Sequence, residues 1–551
     1  MFTIKNPIIP GLAPDPSIIR VGDIYYIATS TFHFQPAIQI FESTDLVNWK
    51  LTDFALKNGE VNLQGTNTPA GIWAPHLSYD SVTGKYWITY SHMQNMAGRE
   101  FNSDSFAMYA DSIHGPWSTP IYLTSIGFDP SLYHEGGKHY LTILEWETRE
   151  GYQHPGHIVI AEIDLETGEL VTNWHRLTHG FTSRGCAEAP QIYKHDNYYY
   201  LLLASGGTGY GHGVEIGRAK SIFGPYEGHP SGEPIITSNP RHLFSLGDPD
   251  AGHFEMFNPN SEIQKSGHGS LVETSSGEVY IAHLMSRPLE GQLLNPLGRE
   301  TSLQKMIWTT DGWLEMEDGT NFAKTEVAGI TSIDIVQENN WDIIDDFDKE
   351  PNLNFITPYR KQDKIWVNTT ERRGHLRIYG ANSLFSQSQS SIMATRATSF
   401  KFNVETKVEF HPVHYSQTAG VGLYYDSNNW IYFNLTYLEE NNTPVLTVLQ
   451  AKLGERIEFP YQKQMVPNGI TELRIRYDFG LASLYYLKDG EWIPFIKNLD
   501  VRYLSDEGVN GEPGEIGGFT ALVSFIASVD AYQRKSFADF DYYKVINIKG
   551  E

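Results

Sequence analysis

Residues 13–30 read APDPSIIRVGDIYYIATS, and this stretch indicates the fold because its plan recurs four more times along the chain. In each copy a small or acidic residue leads, usually through a proline, into a short strand, a polar turn and an aromatic-rich strand. This order is typical of a β-hairpin. The other copies are WAPHLSYDSVTGKYWITYS from Trp73, GFDPSLYHEGGKHYLTILEW from Gly127, EAPQIYKHDNYYYLLLAS from Glu188 and GHGSLVETSSGEVYIAHLMS from Gly267.

Strand-like segments between the hairpins, such as AIQIFEST, FAMYADS, HIVIAEID and VEIGRAK, supply further strands for each unit. Four-stranded sheets repeated around an axis make a β-propeller, so we predict an all-β fold with five blades over residues 1–325. An open meander or a sandwich with a chance repeat is the alternative. Residues 326–551 contain alternating runs such as WIYFNLTYL and LASLYYL, which predict a second domain built as an antiparallel β-sandwich.

Composition excludes several classes of function. The chain has 66 acidic and 41 basic side chains, a net charge of −25, which repels nucleic acids and anionic lipid surfaces. No apolar run approaches the roughly 20 residues that cross a bilayer. Cys186 is the single cysteine, so no disulfide forms within the chain, and the first residues lack the apolar core of a secretory signal. We therefore expect a cytoplasmic protein with neither nucleic acid nor membrane as a partner.

Three carboxylates occupy corresponding places in the repeat. Asp15 and Asp129 each stand in Asp-Pro-Ser, and Glu188 stands in Glu-Ala-Pro. An isolated Asp-Pro is usually a turn, but the inner strands of a propeller begin near its axis, so three acids in register are predicted to meet in one cleft. Such acids raise each other's pKa, which allows one to stay protonated while another is ionised. Hydrolysis of a glycosidic bond requires such a pair.

These residues lie in stretches that resemble glycoside hydrolase family 43, and specifically its two-domain β-xylosidases. The matching stretches extend through nearly all of residues 1–310: NPIIPGLAPDPSIIRVGDIYYIATSTFHFQPAIQIFESTDLVNW, GIWAPHLSYD, GFDPSLYHEGGKHYL, EAPQIYK, GGTGYGHG, GHGSLVE and PLGRETSLQ. The resemblance continues in the second domain at DDFD, GLYYDSNNWIYFNL and ADFDYYKV.

The resemblance implies an exo-acting enzyme that releases xylose, with inversion, from the non-reducing ends of short β-1,4-linked xylo-oligosaccharides. It implies that Asp15 is the general base that activates water and that Glu188 is the general acid. Asp129 would tune the pKa of Glu188 and orient it. Inversion places base and acid about 6.5–9.5 Å apart, which leaves room for the attacking water.

Further pocket residues are implied by the same resemblance. The substrate-binding set is Phe32, Trp73, Thr208, His268 and Arg299. In some relatives the histidine that matches His268 contacts a calcium ion. Calcium prefers six to eight oxygen ligands, and no acidic loop with that spacing is present, so we expect no cofactor and keep calcium near His268 as the alternative.

The second domain is implied to be a concanavalin-like β-sandwich that narrows the mouth of the pocket with an aromatic side chain. A carbohydrate-binding role is the alternative. Alignment on ADFDYY places Val523 where this aromatic residue is expected, with Phe519 and Phe525 nearby. The resemblance also implies a homo-oligomer, a dimer or a tetramer.

Two other functions stay open. An α-L-arabinofuranosidase, alone or as a second activity, is the first, because arabinofuranose and xylopyranose present similar hydroxyl groups. A non-catalytic carbohydrate-binding propeller is the second and more distant one, since such a protein is expected to lack at least one of the three acids.

Overall fold

The computed structural model describes residues 2–66, 68–96, 100–239, 257–331, 337, 340–359, 365–460, 462–509 and 517–548. Over these residues the regular structure is β-sheet apart from one 3₁₀ turn, Glu439–Asn441. The first half of the chain forms five sheets of at least four strands each, in chain order, and the second half forms two larger sheets. The predicted five-bladed propeller followed by a β-sandwich is confirmed.

Each blade begins with its innermost strand and continues outward by antiparallel pairing. The strands of blade I are Ser17–Val21, Ile24–Thr29, Ala37–Ser43 and Lys50–Leu56; of blade II, Gly71–Asp80, Lys85–Asn95, Asn102–Ala110 and Ile121–Thr124; of blade III, Gly127–Glu135, Lys138–Trp146, Gly156–Glu162 and His175–Thr178; of blade IV, Glu188–His195, Tyr198–Ser205, Gly213–Ala219 and Glu227–Gly228, with Ile236–Thr237 also paired to Gly213–Ala219; and of blade V, Gln264–Glu273, Val279–Ser286, Glu300–Trp308 and Leu314–Met316.

The innermost strand of every blade contains or follows a residue in the left-handed region of backbone space. Five such residues share the same place in the repeat and have φ values between 41° and 60°: Asp15, Ala74, Asp129, Ala189 and His268. In blades II to V the pairing register also shifts at this point. Left-handed backbone and β-bulges redirect side chains, and both are concentrated at functional sites. The repeat therefore redirects the chain next to the axis in all five blades.

The ring of blades is closed by the N-terminal segment. The backbone N–H groups of Ile8 and Ile9 donate to the carbonyl oxygen of Thr301 in blade V, and the Asn6 side chain donates to the carbonyl oxygen of Leu303. The segment then enters blade I, where the N–H of Ile18 donates to Ser270. Asp15 is thus held between the first and last blades.

The second domain is a sandwich of two antiparallel sheets. One sheet has the order Val367–Asn368, Leu376–Tyr379, Phe537–Asn547, Lys401–Phe410, Ile470–Asp478, Leu481–Lys488 and Glu491–Asp500, with Ile343–Asp345 paired to Phe537–Asn547. The other has the order Ile392–Arg396, Val523–Asp530, Gln417–Asp426, Asn429–Leu438, Thr443–Lys452 and Glu455–Glu458, with Gln464–Met465 paired to Thr443–Lys452. Buried aliphatic and aromatic side chains from both sheets form the core between them.

The two domains are joined by backbone pairing as well as by side chains. Phe34–Gln35 of the propeller pairs with Thr357–Pro358, and the N–H of Leu522 donates to the carbonyl oxygen of Pro296. Glu326–Ala328 pairs with Thr3–Lys5, so the boundary predicted after residue 325 precedes the last strand attached to the propeller. Within the part of the chain that the structure describes, no helix has the length and apolar character needed to cross a bilayer.

Candidate active site

A narrow cavity lies at the axial end of the propeller where the redirected inner strands meet. The space between its walls, including the part open to solvent, is about 390 Å³. All eight residues that the sequence assigns to the site line it: Asp15, Phe32, Trp73, Asp129, Glu188, Thr208, His268 and Arg299. The cavity is further lined by Ala74, Phe128, His212, Leu284 and Phe519.

The three carboxylates are held by different hydrogen bonds. Asp15 Oδ2 accepts a hydrogen bond of 2.7 Å from the Ser30 hydroxyl, which in turn accepts one of 2.7 Å from the backbone N–H of Ala74. Asp129 Oδ2 accepts from the N–H of Ala189 at 3.1 Å. Because Ala189 directly follows Glu188, this bond fixes the backbone that carries the glutamate. The Asp15 carboxylate is thus held by the hairpin of its own blade, which Ala74 of blade II supports, and Asp129 holds the backbone next to Glu188.

Burial and neighbouring charges raise the pKa values of two of the acids, Glu188 and Asp129. Burial raises the pKa of Glu188 to about 7; the negative charge of Asp15 adds to this rise and the Arg299 guanidinium opposes it. Burial also raises the pKa of Asp129 well above its usual value, with Glu188 and Asp15 contributing. Acids that interact this strongly titrate as a group. At neutral pH the buried cluster therefore retains a proton.

Arg299 is a buried cation at the edge of this cluster. Its Nη2 donates to the carbonyl oxygen of Thr208 at 3.4 Å, so Thr208 contributes backbone as well as side chain to the site. The guanidinium lies over the ring of Phe519, 4.1 Å from its centroid. Gly298 has a φ of 65° and lies so close to the carbonyl of Thr520 that a Cβ atom would be 1.7 Å from its oxygen. Only glycine permits this approach between the domains.

His268 and His212 lie beside the acids. His268 Nδ1 is 3.6 Å from Asp15 Oδ1, and burial lowers the pKa of this histidine despite the opposing charge of Asp15. Burial lowers the pKa of His212 to about 3, and its Nδ1 bonds the carbonyl oxygen of Gly207. Both imidazoles are therefore neutral at pH 7 and act as hydrogen-bonding groups.

Phe519 closes the cavity from the second domain. Its ring centroid lies 5.9 Å from that of Trp73 and 6.3 Å from that of Phe32. The alignment that placed Val523 at this position is wrong, because Val523 is fully buried within its own sheet, paired with Arg396 and Tyr424. Phe525 is also buried in the sandwich, where it packs on Tyr432.

A buried polar network holds the loop that carries Phe519. The carbonyl oxygen of Asp506 accepts the N–H groups of Gly517 and Gly518, while its carboxylate accepts the hydroxyl of Tyr425 at 2.5 Å. The neighbouring Glu507 forms an ion pair with Lys265 of blade V, whose side chain is 1% exposed. Since Lys265 lies three residues before His268, the loop is tied to the strand that forms the cavity wall.

Family matching agrees with this geometry. Residues 4–314 match the family described as Glycosyl hydrolases family 43. The chain belongs to glycosyl hydrolase family 43. Residues 344–546 of this glycosyl hydrolase match the domain described as Beta xylosidase C-terminal Concanavalin A-like domain. The predicted family, the enzyme class and the concanavalin-like second domain are confirmed.

Sequence and structural relatives match this hydrolase over nearly its whole length. It is 35% identical to a xylan 1,3-β-xylosidase of Vibrio sp. over 99% of each chain, and 33% identical to xylosidase/arabinosidase 43B of Humicola insolens over 98% of this chain and 97% of that one. The crystal structure of a xylan β-1,4-xylosidase from Bacillus halodurans C-125 superposes with a TM-score of 0.90 and 37% identity, covering 99% of this chain and 100% of the other.

Sequence reasoning missed three groups in the site of this hydrolase. Phe128 and His212 line the cavity, and Ser30 bonds Asp15. Phe128 precedes Asp129, as Trp73 precedes Ala74, and its ring lies 5.6 Å from that of Trp73. The repeat could have indicated Phe128, whereas the contact between Ser30 and Asp15 depends on the hairpin being folded.

The residues around His268 do not match what calcium requires. Among the described residues no group of three or more histidine, cysteine, aspartate or glutamate side chains is arranged to hold a metal ion. Leu284, His212 and Arg299 share the cavity with His268, and calcium needs six to eight oxygen atoms. We therefore derive no step of the reaction through a metal.

Proposed function

We propose that this hydrolase is an exo-acting, inverting β-1,4-xylosidase that releases xylose from the non-reducing ends of short xylo-oligosaccharides. The observation that carries the proposal is the meeting of Asp15, Asp129 and Glu188 in one cavity, with the pKa of Glu188 raised to about 7. The β-xylosidase names of relatives that span the full chain support the same substrate class.

In the proposed reaction Glu188 donates its proton to the glycosidic oxygen as the bond to the anomeric carbon breaks. Asp15 accepts a proton from the water whose oxygen attacks that carbon from the opposite face, so the configuration inverts. Asp129 holds the backbone next to Glu188 through the N–H of Ala189, and the raised pKa of Asp129 helps the cluster to retain a proton at neutral pH. Arg299, Thr208 and His268 bind hydroxyl groups of the sugar.

The exo mode is supported by the shape of the cavity. Phe32, Trp73 and Phe519 surround it with aromatic rings whose centroids are separated by 5.9 to 6.3 Å. These rings narrow the cavity around the position of one terminal sugar. Aromatic faces also stack on the apolar face of a pyranose.

Hydrolysis rates on matched substrates test this proposal. We expect kcat/KM for 4-nitrophenyl β-D-xyloside to exceed that for 4-nitrophenyl α-L-arabinofuranoside, and β-1,4-xylobiose to be cleaved faster than β-1,3-xylobiose. The arabinofuranoside activity is the second candidate function, favoured by the likeness to a xylosidase/arabinosidase. A higher kcat/KM on the arabinofuranoside would replace the first proposal with the second.

The pH dependence follows from the protonation state of Glu188. Only the protonated acid can donate, and its pKa is about 7, so kcat/KM for xylobiose should fall about tenfold per pH unit above pH 7. Below this pH the acid stays protonated and this group does not limit the rate. An alkaline limb that persists unchanged in Glu188→Gln on an activated aryl xyloside would assign the titration to another group.

Phe519 is expected to affect substrate binding more than chemistry. Phe519→Ala opens the mouth and removes the ring over Arg299, so we expect KM for xylobiose to rise about tenfold, with a smaller change in kcat. Steady-state kinetics measure both constants. Phe479→Ala, at a 45% exposed phenylalanine of the same domain, is the control and should change neither. Equal KM values for Phe519→Ala and the native enzyme would exclude Phe519 as the mouth residue.

A cytoplasmic location and a homo-oligomeric state complete the proposal. The single cysteine is compatible with a reducing compartment, and the oligomer is inferred from the resemblance to two-domain β-xylosidases. Light scattering coupled to gel filtration should give a mass that is two or four times 62.4 kDa. A mass of one chain would contradict the oligomer.

A further inference from the structure

A second, larger cleft lies between blade I and the sandwich domain. It is open to solvent, and the space between its walls, solvent included, is about 1230 Å³, against about 390 Å³ at the candidate active site. Its walls come from the outer strand of blade I, the connecting segment and strands of both sandwich sheets, and they include Lys50, Trp341, Asp342, Asn352, Asn354 and Arg396. It shares no residue with the active-site cavity.

The decisive group in this cleft is Arg396. Its side chain is 4% exposed, and no carboxylate of the described residues lies within 4 Å of its guanidinium. Nη1 donates to the carbonyl oxygens of Pro10 at 3.3 Å and Leu12 at 3.5 Å, while no hydrogen bond within the described structure uses Nε or Nη2. Burial lowers the pKa of Arg396 to about 10, so it remains charged at pH 7.

Burying a cation without a counter-ion costs free energy. The chain has 66 acidic side chains, yet none of the described ones forms an ion pair with Arg396. The guanidinium fork matches a carboxylate with two parallel hydrogen bonds. The cleft is lined by a second cation, the exposed Lys50, and by one carboxylate, Asp342, whose Oδ1 accepts the backbone N–H of Asn547. The electrostatics thus favour an anionic ligand whose charge is carried by a planar carboxylate.

The other walls favour a sugar as the carrier of that carboxylate. The partly buried ring of Trp341 lies beside Arg396, 5.5 Å from ring centroid to Cζ, and offers an apolar face to the cleft. Asn354 Nδ2 donates to Asn352 Oδ1 at 2.7 Å. In the described structure this leaves Asn352 Nδ2 as a donor and Asn354 Oδ1 as an acceptor, a pair suited to hydroxyl groups.

We propose that this cleft binds a carboxylate-bearing saccharide, with the uronic acid carboxylate on Arg396, the sugar ring against Trp341 and hydroxyl groups on Asn352 and Asn354. The proposed binding site shares no residue with the active-site cavity, so this proposal does not depend on which substrate the active site hydrolyses. It gives the two-domain architecture a binding role in addition to closing the active site.

Calorimetry or saturation-transfer NMR with three small probes tests the assignment on the full chain. We expect methyl α-D-glucuronoside to bind, and methyl α-D-glucoside and acetate each to bind at least tenfold more weakly. Acetate binding as tightly as the glucuronoside would contradict the saccharide and leave a simple anion site. Binding of the neutral glucoside as tightly would contradict the role of Arg396.

Variants locate the site. Arg396→Gln, Trp341→Ala and Lys50→Glu should each weaken glucuronoside binding at least threefold, and Arg396→Gln should abolish it. Because Arg396 also holds the N-terminal segment, the variants at Lys50, which is exposed, and at Trp341, which is partly buried, keep the test valid if Arg396→Gln does not fold. Trp492→Ala, at another half-buried tryptophan near an arginine, is the matched control and should bind normally. Unchanged binding in Trp341→Ala and Lys50→Glu would overturn the proposal.

Discussion

Replacing Glu188 with alanine is expected to lower kcat for xylobiose by about 10²–10⁴-fold while leaving hydrolysis of 2,4-dinitrophenyl β-xyloside within about tenfold of the native rate. A sugar leaving group needs a proton as the bond breaks, whereas dinitrophenolate departs without one. The raised pKa of Glu188, about 7, keeps that proton available at neutral pH. Steady-state kinetics on both substrates measure the difference.

Glu215 provides the matched control for this experiment. It lies on Gly213–Ala219 of the same blade, is buried, and has a pKa raised by burial to about 7, but it does not line the active-site cavity. Glu215→Gln should therefore show no dependence on the leaving group. Equal losses on xylobiose and the dinitrophenyl xyloside in Glu188→Ala would remove Glu188 as the general acid.

Asp15→Ala is expected to reduce turnover of every substrate by about 10²–10⁴-fold, because attack by water requires a base whatever the leaving group. Azide needs no deprotonation, so it should restore turnover of the dinitrophenyl xyloside in this variant. Azide then forms the bond to the anomeric carbon that water forms in the native enzyme, and the product is α-xylosyl azide.

Ser30→Ala gives a milder companion variant. It removes the 2.7 Å hydrogen bond to Asp15 but leaves the carboxylate, so a smaller loss without azide rescue is expected. A rate for Asp15→Ala within a few-fold of the native enzyme, or formation of β-xylosyl azide, would place the base elsewhere or contradict inversion.

A raised pKa alone does not identify the site in this hydrolase. Burial also raises the pKa of Asp506 to about 7 and that of Asp426 to about 6, and both lie in the sandwich domain. What distinguishes Glu188 and Asp129 is that they line one cavity with Asp15, whose charge helps to raise the pKa of both, and that they occupy corresponding points of the repeat. The position of each acid in the repeat was visible from the sequence, and it predicted that the three carboxylates lie in one cavity.

The five left-handed residues explain why the repeat was so informative. Asp15, Asp129 and His268 themselves adopt positive φ, while Glu188 and Trp73 precede residues that do. In blades I to IV the residue with positive φ is followed by proline, in an Asp-Pro or Ala-Pro step, and in blade V His268 is followed by Gly269. Local sequence could indicate this redirection of the chain because it depends on neighbouring residues only.

Features that join distant parts of the chain could not be predicted in the same way. Phe519 enters the cavity through a loop held by Asp506 and Tyr425, and motif alignment placed Val523 there instead. The cleft around Arg396 joins residues near position 50 with residues near 340 and 396, and no local pattern reports that meeting. The position of Phe519 and the shape of the cleft around Arg396 both depend on how the two domains pack against each other.

Proton NMR of xylobiose hydrolysis during the first minutes tests the central claim most directly, with a parallel sample containing a chelator. The proposed roles of Asp15 and Glu188 predict that the xylose released from the non-reducing end appears first as the α-anomer, at the same rate in both samples. Initial release of β-xylose would contradict the inverting mechanism and make one of the acids a nucleophile.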